Sequence, residues 1–234
     1  MIPLRDDIPS YRFPIVMWII IALNVVIFMG ELSCRPEDLE RVFHVLGIVP
    51  ATLPTRPGIW RYLPFFSSMF LHGGWFHLIG NMWMLWIFGD NVEDRMGHFR
   101  FFIFYLLCGL AAGYVHCWSN ANSMIPTIGA SGAIAGVLGA YFVFFPWARV
   151  ITLVPLFFWP FFIEIPAVIY LILWFVQQLF GSMVAALLPN VGGIAWTAHV
   201  GGFVAGMFLC YLFRAPQRRR RAIYRGYYPY TETW

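Results

Sequence analysis

The chain has 234 residues, a formal net charge of +4, 60% hydrophobic and only 11% charged side chains, and a mean hydropathy of +0.70. A soluble globular domain carries roughly a quarter charged residues, so that class is excluded. The regular spacing of the apolar segments reads as one polytopic membrane domain rather than a soluble domain with an anchor. No charged-then-apolar run with a small-residue cleavage site opens the chain, so a removed signal peptide is not expected.

All 15 basic residues are Arg, and Arg218-Arg219-Arg220-Arg221 follow the last apolar segment. In that position they read as a flank touching anionic lipid headgroups, not as a nucleic-acid arm. Cys34, Cys108, Cys117 and Cys210 show neither CxxC nor metal-ligand spacing. Cys108 and Cys210 lie inside apolar runs, where a small buried hydrophobe is the ordinary role.

A spanning helix needs about 20 mostly apolar residues. The first expected helix runs from Ile15 to Leu32, with Asn24 as its strongly polar side chain. Residues 33 to 63 carry charges of both signs and turn signals at Pro50, Pro54 and Pro57-Gly58, ending in Trp60-Arg61-Tyr62. That stretch is too long for a plain linker and predicts a structured, partly helical surface loop. A second helix is expected over Phe76–Asn91, closed by a charged turn at Asp90–Arg95, and a third over Phe101–Trp118, with Gly109 and Gly113 on one face. The fourth spans Ser131–Phe145; Pro146 to Pro160, with three prolines, reads as a connection. The fifth spans Ile165–Met183, a loop covers Met183–Gly193, and the sixth spans Trp196–Phe213. The expected architecture is an all-α bundle of six transmembrane helices, residues 14–213, between a short N-terminus and the Arg-rich tail 214–234.

Six helices put both termini on one side, and the terminal Arg cluster marks that side as cytoplasmic. Arg95, Arg100 and Arg149 agree; Arg35, Arg41, Arg56 and Arg61 in the first loop count against it, but long loops obey the rule poorly. Helices two, four and six then enter from the outside. Polar side chains facing hydrocarbon are costly, so each needs a reason. His77 and Asn81 open helix two, Ser131 opens helix four and His199 lies near the start of helix six, which puts them at one depth. His77 and Asn81 are four apart, about 400° of helix, and share a face.

Ser131 heads a helix, where unpaired N–H groups and the helix dipole favour negative charge. A serine needs a general base to act as a nucleophile, and His199 is the histidine on a late helix at that depth. Ala198, Gly202 and Gly206 give helix six a small-residue face, matched by Gly132, Gly136 and Ala140 on helix four. Such faces commonly mean packing alone; here they also let Ser131 meet His199. No acid is available to orient that histidine, the acidic residues lying in the first loop, the termini, the turn at Asp90–Asp94 or at Glu164. A Ser–His dyad is therefore expected rather than a triad, with His77 and Asn81 as oxyanion donors. A zinc site from His72, His77 and His199 would need a break between the first two and lacks a thiolate or carboxylate. No metal or organic cofactor is expected, and His72 takes a structural hydrogen-bonding role.

Gly129-Ala130-Ser131-Gly132, His77-x-x-x-Asn81, Ala198-His199-x-x-Gly202-x-x-x-Gly206 and Trp60-Arg61, in this order, resemble the rhomboid intramembrane serine proteases. The resemblance implies a six-helix bundle whose cavity opens to the outer side, Ser131 as nucleophile, His199 as base, and His77, Asn81 and the Ser131 N–H as oxyanion donors. It also implies a lipid-embedded first loop carrying Trp60 and Arg61, a polar turn with Glu93 and Arg95, and a lateral gate and cap at helix five and the loop after it. Some members place a tyrosine four residues after the nucleophile to stack on the histidine; here Ala135 stands there. No added cytoplasmic domain is expected, and lack of a transit peptide favours a bacterial inner membrane. The function expected is cleavage of membrane proteins in or beside their transmembrane segments, with those helices and the bilayer as partners and no nucleic acid. The alternatives are a catalytically silent relative that binds transmembrane helices as a chaperone or sorting factor, and a transporter, which has no repeat symmetry or embedded charge to support it.

Overall fold

The computed structural model describes residues 1–156, 159–187 and 195–215. It is mostly helical: α1 (Ile15–Glu31), α2 (Pro36–Leu46), the short α3 (Leu63–Ser67), α4 (Trp75–Met96), α5 (His98–Ser119), α6 (Ser131–Phe144), α7 (Ala167–Leu187) and α8 (Trp196–Phe213). Among the described residues α5, α7 and α8 are long and apolar enough to cross a membrane, and α1 and α6 are shorter apolar helices. The Arg cluster at 218–221 and most of the loop expected over Met183–Gly193 lie outside the described residues.

Several boundaries differ from expectation. The charged segment Asp90–Arg95 is no turn: α4 continues through it to Met96 and breaks only at Gly97, whose φ of 85° a side chain would resist. Glu93 explains the continuation. Its buried carboxylate accepts the Val16 and Met17 amides at 2.9 and 2.7 Å and meets His98 Nδ1 at 2.5 Å. A carboxylate at those first amides of α1 satisfies otherwise orphaned donors and the positive end of the helix dipole. Glu93→Ala is therefore expected to cost about 2–3 kcal/mol, read as a lowered thermal midpoint in detergent, while Glu93→Gln loses less. Helix five also shifts, running Ala167–Leu187 rather than Ile165–Met183.

The expected connection from Pro146 to Pro160 is instead a β-hairpin. Strands β2 (Arg149–Leu156) and β3 (Trp159–Pro166) pair antiparallel, and the N-terminal β1 (Ile2–Asp6) adds to β2 in the order β1-β2-β3. The bundle is thus not purely α. The prolines that rule out a helix here do not rule out a strand, since Pro160 sits on the edge strand, and the run Val150-Ile151-Thr152 is β-branched.

The first loop is structured, as expected. Pro36 opens α2, and Glu37 and Asp38 lie in its first turn. The loop arginines have local partners: Arg35 and Arg41 pair with the Asp38 carboxylate at 2.8 and 3.8 Å, Arg56 donates to the carbonyls of His44 and Val45 at 2.5 and 2.8 Å, and Arg61 donates to that of Pro54.

One end of the bundle gathers both ends of the described chain. Glu93 of α4 holds the start of α1, Ala215 donates to the Arg95 carbonyl, and Arg100 donates to that of Arg214. At the same end β1 is pinned to the helices. Trp83 Nε1 donates to the Pro3 carbonyl at 2.6 Å, while the Asp6 carboxylate accepts from Asn91 Nδ2 at 2.9 Å and from the Tyr141 hydroxyl. Burial pushes the Asp6 carboxyl up from 3.8 to about 6, against the smaller opposing effect of the Tyr141 hydroxyl. Protonated Asp6 is therefore favoured on folding, so the stability it confers is full below about pH 4 and is lost as pH rises to about 6. The expected result is that wild type loses up to about 3 kcal/mol relative to Asp6→Asn between those limits and nothing further above them, read from thermal midpoints of the two chains across pH 4–8.

At the centre stands α6, buried from Gly132 to Tyr141 and packed by α4, α5 and α8. The α6–α8 crossing is the close one. A Cβ on Gly202 would strike the Gly132 carbonyl and one on Gly206 the Gly136 carbonyl, so the two backbones touch where the sequence sets its small residues opposite each other.

Candidate active site

The close crossing brings the first residue of α6 to the first turn of α8. Ser131 Oγ lies 2.8 Å from His199 Nε2, across 68 residues of sequence. The other ring nitrogen is also held: His199 Nδ1 lies 2.8 Å from Gln178 Oε1. Gln178 is buried in the middle of α7, and its amide nitrogen donates to the Trp174 carbonyl at 3.1 Å. That second bond sets the orientation of the amide, leaving its oxygen to face the ring. Nδ1 is then the donor and Nε2 the acceptor, the tautomer that can take a proton from Ser131.

This answers the gap at Ala135, which is fully buried in α6 and offers the ring nothing. The aromatic neighbours of His199 are indoles: Trp174 of α7, tilted at 32° with centroids 6.1 Å apart, and Trp196 of α8, edge-on at 6.5 Å. The support the family resemblance places on α6 comes from α7 and α8.

His77 and Asn81 lie one turn apart on α4 and line the same cavity as Ser131 and His199, a space of about 1200 Å³. The His77 ring abuts Gly129, where any Cβ would meet its Nε2 and Cε1 at 2.6 and 2.7 Å. Gly129 also sits at φ 120° with its N–H on the Ser68 carbonyl at 2.8 Å, so both the space and the backbone demand glycine just before Ala130-Ser131. His77 Nδ1 accepts the Gly73 N–H at 3.4 Å, leaving Nε2 as the ring's free donor. Asn81 donates one amide hydrogen to His72 Nε2 at 3.0 Å. His72 is buried, and its backbone N–H lies 3.3 Å from both oxygens of Glu31. The histidine expected to be structural is thus the hydrogen-bond partner that orients Asn81. Among the described residues no group of three or more His, Cys, Asp or Glu could hold a metal ion. Trp60 and Arg61 lie in the first loop, both exposed, and line no part of the cavity.

Sequence reading passed over three polar residues here. Gln178 interrupts an apolar helix, which was the available signal; its neighbour Gln177 is exposed, so the sequence did not say which glutamine faces inward. Glu31 is the last residue of α1, where the sequence singles out Asn24 as the strongly polar side chain. His116, in the last turn of α5, lines the cavity too.

Comparison with known proteins identifies the family. Residues 56–216 match the model of the Rhomboid domain. The chain is 32% identical over 189 residues to RHOMBOID-like protein 5 of Arabidopsis thaliana, covering 77% of this chain and 55% of that protein. It is 27% identical over 216 residues to Rhomboid protein 1, mitochondrial, of Saccharomyces cerevisiae, covering 80% and 57%. An uncharacterized protein of Mycobacterium tuberculosis is 29% identical over 181 residues. The chain spans little more than half the length of the first two relatives. With helices of spanning length and apolarity and a domain match over most of its length, the chain is an integral membrane protein of the rhomboid family.

Proposed function

We propose that this chain is a serine endopeptidase acting within the membrane on the transmembrane or juxtamembrane segments of other membrane proteins. The observation that carries the reading is the 2.8 Å contact between Ser131 Oγ and His199 Nε2 inside a cavity shared with His77 and Asn81. Ser131 attacks the scissile carbonyl carbon while His199 takes its proton. The tetrahedral oxyanion is met by His77 Nε2–H, the remaining Asn81 amide hydrogen and the Ser131 N–H at the head of α6, donors of a kind worth roughly 3–4 kcal/mol each. Collapse expels the amine, which takes its proton from His199, and water repeats the cycle on the acyl-enzyme.

In this reading α1, α4, α5, α6, α7 and α8 are the six spanning helices, both termini are cytoplasmic, and the cavity faces the outer side of a bacterial cell membrane. The 14 residues of α6 measure about 21 Å, short of a hydrocarbon core of about 30 Å, so the serine at its head is recessed. Access is lateral, past α7. The partners are single- or multi-pass proteins presenting a helix end, together with the surrounding lipid.

The test is labelling of detergent-solubilised protein by a fluorophosphonate probe, with the modified residue located by mass spectrometry, alongside cleavage of a small panel of single-pass proteins. Labelling at Ser131 that heat denaturation abolishes, together with internal cleavage products, upholds the proposal. A folded chain that binds such substrates without labelling or cutting them is instead the silent, helix-binding relative.

A further inference from the structure

The cavity is lined by a third histidine, a buried one, for which the chemistry above has no use. His116, from α5, is 8% exposed and hydrogen-bonded at both ring nitrogens. Nε2 lies 2.8 Å from Thr127 Oγ1 and Nδ1 lies 3.0 Å from Thr197 Oγ1. Asn120, four residues on, donates its amide to Thr197 Oγ1 and to the His116 carbonyl, each at 3.0 Å. A hydroxyl both donates and accepts, so the two threonines satisfy a neutral imidazole in either tautomer.

The places of the two threonines matter. Thr127 stands four residues before Ser131, and its backbone is already fixed by paired bonds to Ile48 at 2.7 and 3.0 Å. Thr197 stands two residues before His199, in the first turn of α8. The chain joins α6 to α8 only by way of β2, β3 and α7. The close glycine crossing sets how near the two helices lie. Ring packing across it, Phe142 of α6 on Phe203 of α8 with centroids 6.0 Å apart, lies about three turns beyond Ser131. At the Ser131 end the facing residues are small and resist sliding poorly. A ring on a third helix, bonded to the lead-in of one and the first turn of the other, resists it.

We propose that His116, seconded by Asn120, is a positioning residue that holds Ser131 and His199 in register through Thr127 and Thr197. The role rests on the protease reading and deepens it. A proton-transfer pair tolerates little error, since a displacement near 1 Å can cost about 100-fold in rate.

The test uses the full chain in detergent. Valine nearly matches threonine in shape and lacks only the hydroxyl, so Thr127→Val and Thr197→Val probe the bonds with little risk to folding; Thr127→Ser and Thr197→Ser restore the hydroxyl. The readouts are kcat and KM on a single-pass model substrate, the rate of fluorophosphonate labelling of Ser131, and the thermal midpoint. Each valine variant is expected to lose about 10-fold in kcat and in labelling rate with KM within about 2-fold, and each serine variant to recover most of it. His116→Ala combined with Thr197→Val should be no slower than His116→Ala alone, as bonds in one network are not additive. Valine variants that cleave and label like wild type, serine variants as slow as valine, or a loss confined to KM would each overturn the bracket while leaving the protease standing. A wild-type chain that is never labelled overturns both.

Discussion

Ser131→Ala is expected to reduce cleavage of a single-pass substrate by at least about 1000-fold, and His199→Ala by a similar factor. The two act as one unit: without the hydroxyl there is no nucleophile, and without the imidazole the hydroxyl stays protonated and inert. The double variant should therefore be no worse than either single one, the non-additivity expected of a nucleophile and its base. The thermal midpoint of Ser131→Ala should barely move, because the hydroxyl's bond to His199 is modest in net worth, whereas His199→Ala should lower it, since Gln178 Oε1 is left buried without its partner. Rates from quantified product bands, with the midpoint measured on the same preparation, separate lost chemistry from lost fold. Full activity in either single variant would refute the mechanism.

Gln178→Leu is expected to lower kcat by about 10- to 100-fold with KM nearly unchanged. Leucine fills similar space but accepts no hydrogen bond, so the Nδ1–H of His199 is left buried and unpaired. The ring is then free to adopt the other tautomer, in which Nε2 carries hydrogen and cannot take a proton from Ser131. Gln178→Glu should retain more activity than leucine, since it keeps an acceptor at Nδ1. A neutral amide differs from the triad's aspartate in one respect: it fixes the tautomer but offers no charge to the imidazolium formed during reaction. Separate kcat and KM values on one substrate decide the matter; a leucine variant with wild-type kcat would show that Trp174 and Trp196 hold the ring unaided.

The chain order of polar residues was enough to pair Ser131 with His199 and His77 with Asn81, because helices entering from one side put their early residues at one depth. The small-residue faces around Gly132 and Gly202 were legible for the same reason: in lipid, close approach needs small side chains at helical spacing. Both signals are local and periodic, and a sequence carries such signals openly. The sheet was not legible. Ile2–Asp6 pairs with strand residues near 150, and a lone strand of mixed composition declares no partner so far away. Pro146, Pro155 and Pro160 announced only that no helix could form.

Composition and spacing by themselves determined that this is a helical membrane chain with a serine and a histidine at one level of the bundle. Only the tertiary structure decided what steadies that histidine. Gln177 and Gln178 are adjacent and chemically identical, and the rotation of α7 against α8 buries one on the His199 ring and leaves the other exposed. The same holds for His116, whose two threonine partners come from segments that meet only in the folded bundle. A helix's rotation about its own axis is set by all the surfaces packed around it, and no single stretch of sequence contains that sum.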